Sequence, residues 1–141
     1  MKQVPAKQPL AFRARPRTLA QLKQRARDLG QTQAALVERY IEEGIRADEH
    51  PQIWFRDRAG GRRAMLAGTG LDVWQVIATL RDHDNSIADT AAYLEVPETK
   101  IRAAVRYYAD YQTEIDDWIE LARSFAEREE RRQQRERRLL G

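Results

Sequence analysis

Leu10-Ala11-Phe12-Arg13-Ala14-Arg15-Pro16-Arg17-Thr18-Leu19-Ala20-Gln21-Leu22 is the stretch on which the reading of this chain turns. Its first six residues alternate, with Leu10, Phe12 and Ala14 to one side and Ala11, Arg13 and Arg15 to the other, as a strand requires. Pro16 ends that ladder and suits the start of a helix. From Thr18 the period lengthens: Leu19, Leu22, Ala26 and Leu29 fall on one helical face, and Gly30 takes the position just past its end. Thr32 can cap a second helix, whose apolar face is Leu36, Val37, Tyr40, Ile41 and Ile45 and which ends between Gly44 and Ala47. One strand and two helices do not make a finished fold, because the strand has no partner within the segment and so short a segment rarely folds alone. A dimer resolves this. Each chain donates one strand to an antiparallel ribbon, and four helices cover it with a core of Phe12, Leu19, Leu22, Leu36, Val37, Tyr40 and Ile41. Pairing across a two-fold axis sets two Arg13 and two Arg15 side by side, on a ribbon that fits the major groove of B-DNA.

Charge points the same way. The 141 residues carry 25 Lys+Arg against 22 Asp+Glu, a net +3, but the balance is uneven. Residues 1–30 hold eight basic and one acidic side chain, a net +7, whereas residues 67–120 hold four and eleven, a net −7. A basic N-terminus of that density is a footprint for a polyanion, with a solubilising tail as the alternative. The acidic middle would be repelled by the same ligand.

Residues 10–46 resemble the ribbon-helix-helix repressors of the MetJ/Arc/CopG type. The features are the short alternating strand, the proline and arginine entering the first helix, Leu19 and Leu22, Gly30, and the Leu36-Val37 pair. The resemblance implies that Ala11, Arg13 and Arg15, with Arg17 beside them, face operator DNA. It also implies that the start of the second helix holds a phosphate through its backbone N–H groups. Where that family often has Ser this chain has Ala34, and Thr32 is the candidate substitute.

Beyond His50-Pro51 the pattern changes. Ile53–Arg56 and Arg62–Leu66 read as two strands joined by a turn at Asp57–Gly61. Asp72 begins a helix with Val73, Trp74, Ile77 and Leu80 on its apolar face. Ser86 caps a short helix to Leu94, Glu95-Val96-Pro97 makes a tight turn, and Pro97 takes the first position of a helix bearing Ile101, Ala104, Val105 and Tyr108. This is helix-turn-helix grammar. A DNA reading makes Thr99, Lys100, Arg102 and Arg106 the groove-facing set, while the acidic surroundings favour a trihelical core with no DNA role. Glu114–Gly141 reads as one long helix whose apolar stripe is Ile115, Trp118, Ile119, Ala122 and Phe125. That stripe is expected either to bind a partner or to pack back on the preceding helices.

Residues 50–120 resemble, as a unit, a small helix-turn-helix domain of unknown function found in VapB-like antitoxins of bacterial toxin–antitoxin pairs. The resemblance rests on Phe55-Arg56-Asp57, Gly61–Ala64, Asp72–Val76, Val96-Pro97 and Ile101–Tyr108 followed by Glu114-Ile115-Asp116. It implies a cognate toxin with a PIN-like ribonuclease fold, which this chain neutralises while repressing the shared operon.

Catalytic readings find little support. There is no Cys, which excludes disulfides, a thiolate nucleophile and thiolate zinc modules. His50 and His83 have no ligand partner at helical spacing, so neither a metal nor a cofactor is expected. Asp72, Asp82 and Asp84 lie at opposite ends of one helix, too far apart for a nuclease cluster. With a mean hydropathy of −0.76 and no apolar N-terminal stretch, the expectation is a cytoplasmic protein without a membrane span and without enzymatic activity. The expected organisation is mainly α: a leader at 1–9, a dimeric ribbon-helix-helix domain at 10–47, a hairpin plus helix-turn-helix domain at 50–113, and a charged helix at 114–141. The function expected is that of an antitoxin which binds double-stranded operator DNA as a homodimer. The alternatives are a stand-alone repressor and an adaptor that does not touch DNA.

Overall fold

Pro16 opens the first helix, α1 (Pro16–Leu29), because its fixed φ is helical and its missing N–H falls where no intrahelical acceptor exists. Gly30 closes α1 in the left-handed region (φ 63°), and Gln31 N–H returns to the Ala26 carbonyl at 3.0 Å. The second helix, α2 (Gln33–Glu49), starts from Thr32, whose Oγ1 accepts the Ala35 N–H at 3.1 Å. It runs two residues past the expected end, since Gly44 lies inside it without breaking it.

The computed structural model describes residues 5–141, so the expected leader lies outside the described residues at positions 1–4. The described residues form a mainly helical protein of six helices and one two-stranded antiparallel hairpin. They divide into two compact units, residues 1–42 and 43–141. The final turns of α2 therefore belong with the second unit, earlier than the linker expected near residue 48.

In the first unit, residues 5–15 form no helix or strand in the single chain. The strand expected at Leu10–Arg15 is not formed: among the described residues this segment pairs with no other strand. Lys7 Nζ lies 2.9 Å from Glu38 Oε2 on α2. Only Ala26 and Leu36 are buried among the described residues of this unit.

The second unit contains β1 (Ile53–Arg58) and β2 (Gly61–Leu66), paired from Ile53↔Leu66 to Arg58↔Gly61. The ladder reaches two residues further along β1 than expected, because Asp57 and Arg62 face each other and form an ion pair at 3.2 Å. The turn is therefore only Ala59-Gly60. Four helices follow: α3 (Val73–Asp82), α4 (Ile87–Leu94), α5 (Glu98–Asp110) and α6 (Gln112–Leu140). Ser86 caps α4 by accepting the Asp89 N–H. Pro97 is extended (φ −61°, ψ 148°), so it stands just outside α5 as its cap and not in its first turn. Ile53, Leu66, Val73, Val76, Ile77, Ile101, Ala104, Tyr107 and Ile115 form one core to which the hairpin, α3, α5 and α6 all contribute.

Candidate nucleic-acid and partner surfaces

The alternation at residues 10–15 separates two surfaces. Phe12 and Ala14 line an open, mainly apolar concavity of about 650 Å³ together with Leu19, Leu22, Val37, Tyr40 and Ile41, and with Thr18, Gln21 and Arg25 among its lining. This wall is apolar yet uncovered: Phe12 is 64% and Tyr40 44% exposed. Leu36, the remaining residue expected in a dimer core, is fully buried within its own chain. Ala11, Arg13, Arg15 and Arg17 are also exposed but line no part of the concavity. Among the described residues the three arginines make no side-chain hydrogen bond or ion pair, which leaves their guanidinium groups available to an anion. Thr32 Oγ1 is committed as acceptor to Ala35 N–H, so towards a phosphate it keeps only its hydroxyl proton.

Of the second candidate DNA set, three members share one surface and the fourth is engaged within the chain. Lys100 donates to the Ala67 carbonyl at 2.9 Å and to Gln52 Oε1 at 2.6 Å, so its ammonium ties α5 to the chain around the hairpin. Lys100 thus spends its donors within its own chain, unlike the other three. Thr99, Arg102 and Arg106 remain exposed and line a cleft of about 600 Å³ together with His50, Ile53 and Ile87.

The apolar stripe of α6 divides along its length. Ile115 is 1% exposed and belongs to the core, which removes it from a partner surface. Ile119 packs on the same core. The Trp118 ring stacks under the Arg63 guanidinium at 4.3 Å and passes close to Gly61, where an added Cβ would come within 3.1 Å of the indole. Ala122 is half-buried, and Phe125 is 60% exposed, as is much of Leu121 beside it. The free part of the stripe is thus its distal end.

Three polar constellations escape any sequence reading because their members are far apart in the chain. Arg46 donates to Tyr107 Oη at 2.9 Å and to Glu114 at 2.8 Å, while Tyr107 donates to Glu114 at 2.7 Å. Burial opposes the Arg46 charge, but the Glu114 carboxylate outweighs it and holds the guanidinium protonated. Burial and then Glu114 push the Tyr107 hydroxyl far above its ordinary range, so it stays a neutral donor. On the other side, Arg81 and then Tyr108 donate to Asp116 and hold its carboxyl below the usual range. The third constellation joins Glu49, His50 and Asp110, with His50 Nε2 at 2.8 Å from Asp110 Oδ2.

None of the described helices is long and apolar enough to cross a membrane. No family model matches the chain, and neither a curated protein nor a solved structure matches it.

Proposed function

We propose that this chain is a dimeric DNA-binding antitoxin of a type II toxin–antitoxin pair. Its N-terminal segment forms a ribbon-helix-helix dimer on operator DNA, and its C-terminal half captures a PIN-like ribonuclease. The observation that carries the DNA reading is the division of residues 11–17. Phe12 and Ala14 turn to an uncovered apolar wall, whereas Arg13, Arg15 and Arg17 have no partner of their own among the described residues. A second chain that covers the wall would lay the two 10–15 segments side by side and gather the arginines on the opposite face. Phosphate contacts would then supply most of the affinity, and Arg13 and Arg15 the sequence reading, guanine being the commonest partner of arginine.

The test is a competition titration on the chain's own promoter fragment. Arg13→Ala should weaken specific binding by roughly 1–3 kcal/mol and reduce discrimination against unrelated DNA, with the dimer intact. Unchanged operator preference would mean that these positions do not read bases.

The toxin half rests on the resemblance of residues 50–120. A stand-alone repressor is the second reading, and it is favoured by the packing of Ile115, Trp118 and Ile119 against the chain's own body. Co-expression with the flanking reading frames separates the two. A stoichiometric partner whose ribonuclease activity appears only after separation supports the antitoxin, and a clean homodimer on its promoter supports the repressor.

A further inference from the structure

We propose that Glu49, His50 and Asp110 form a binding site for a divalent transition-metal ion of the zinc type. One ligand atom from each lies within 4.8 Å of the others, although Asp110 is 60 residues from His50 in the chain. The donor set is one imidazole and two carboxylates. With the imidazole neutral, the two negative charges balance a divalent ion. A nitrogen donor also selects zinc over magnesium or calcium, which prefer oxygen throughout.

The His50 ring is already oriented. It is buried, meeting Tyr107 edge-on at 5.2 Å and Tyr111 at 6.0 Å, so little freedom remains for a metal to remove. The carboxylates can adjust around it. The Asp110 side chain is 55% exposed and has no partner but His50 among the described residues. Glu49 is exposed and has none. Bonds of about 2.0–2.1 Å in a tetrahedral site place donor atoms about 3.4 Å apart. The His50–Asp110 pair at 2.8 Å must therefore open slightly, which rotation of the exposed Asp110 side chain allows, and Glu49, within 4.8 Å of both, has the same freedom. Three protein ligands leave one position open, and both Glu49 and His50 border the cleft of about 600 Å³ through which a water or an exogenous donor can enter. Bound there, the ion would cross-link the end of α2 to the end of α5.

The test uses the full chain, stripped with EDTA and dialysed, and titrated with zinc chloride at neutral pH by calorimetry, with thermal melts in parallel. The expected result is one ion per chain and a higher melting temperature, since metal held only by the folded state stabilises it. Glu49→Gln and Asp110→Asn should each lower the affinity roughly tenfold or more, whereas His83→Ala should leave it unchanged. Glu49 makes no contact on which folding depends, so Glu49→Gln keeps the test valid if the Asp110 variant misfolds. Absence of saturable binding, or stoichiometric binding that survives in Glu49→Gln, would overturn the site and leave His50–Asp110 as a structural pair.

Discussion

Asp72 concentrates the residue-scale physics of the second unit. Its carboxylate is 2% exposed, and burying that charge is tolerable only because cations and donors converge on it. Arg58 Nε stands 2.8 Å away and Arg63 Nη1 3.4 Å away, and Trp74 Nε1 donates at 3.0 Å. Its backbone N–H meanwhile donates to Gln75 at 2.9 Å, which fixes the first turn of α3. Asp72→Ala would leave the half-buried Arg63 facing no anion and Trp74 without an acceptor, so a loss of about 3 kcal/mol is expected in urea denaturation. Arg58→Ala should cost less, since Arg63 and Trp74 still face the carboxylate and a third of the Arg58 side chain is in water, but more than the loss of an exposed pair, because Asp72 stays buried. Equal losses in the two variants would contradict this assignment. The sequence marks Asp72 as a helix start, and that is correct. Its two arginines are invisible there, because only the hairpin register brings them to it.

At the scale of elements, whatever depends on neighbours in the chain is legible in the sequence. The left-handed stop at Gly30, the caps at Thr32 and Ser86, and the paired strands at 53–66 all follow from local stereochemistry. Whatever depends on who covers a face is not. The stripe on α6 is a single series by spacing, yet Ile115, Trp118 and Ile119 pack on the body while Phe125 remains in solvent. The proposed metal ligands show the same limit, because no spacing rule connects Glu49 and His50 to Asp110. The divided stripe yields a separable prediction. Trp118→Ala removes the cover over Arg63 and Gly61 and should destabilise the second unit by about 2 kcal/mol. Phe125→Ala should alter stability by less than about 0.5 kcal/mol. If α6 captures a toxin, that variant should nonetheless weaken capture in a pull-down with the purified partner. Capture unaffected by Phe125→Ala would place the partner surface elsewhere.

For the molecule as a whole, the two units differ in how much core they own. The second unit encloses a continuous core from Ile53 to Ile115. The first encloses Ala26 and Leu36 among its described residues, while Leu10, Phe12, Leu19, Tyr40 and Ile41 stay exposed. So little buried area offsets the conformational entropy of ordering the segment poorly, and in the proposed dimer a second copy would supply the missing core. Its stability should then depend on protein concentration, as in any dimer that lacks a stable folded monomer, whereas the second unit should melt independently of concentration. Tyr40→Asp places a charge on the apolar wall without touching the arginines. It should convert the chain to a monomer in sedimentation equilibrium and leave the melting of the second unit unchanged. Operator affinity should fall by about a hundredfold or more, because two linked half-site contacts become one. A Tyr40→Asp chain that stays dimeric and binds its operator normally would show that the wall around Tyr40 is not where two chains meet. The arginines of residues 13–17 would then have to meet DNA from a dimer assembled through another surface.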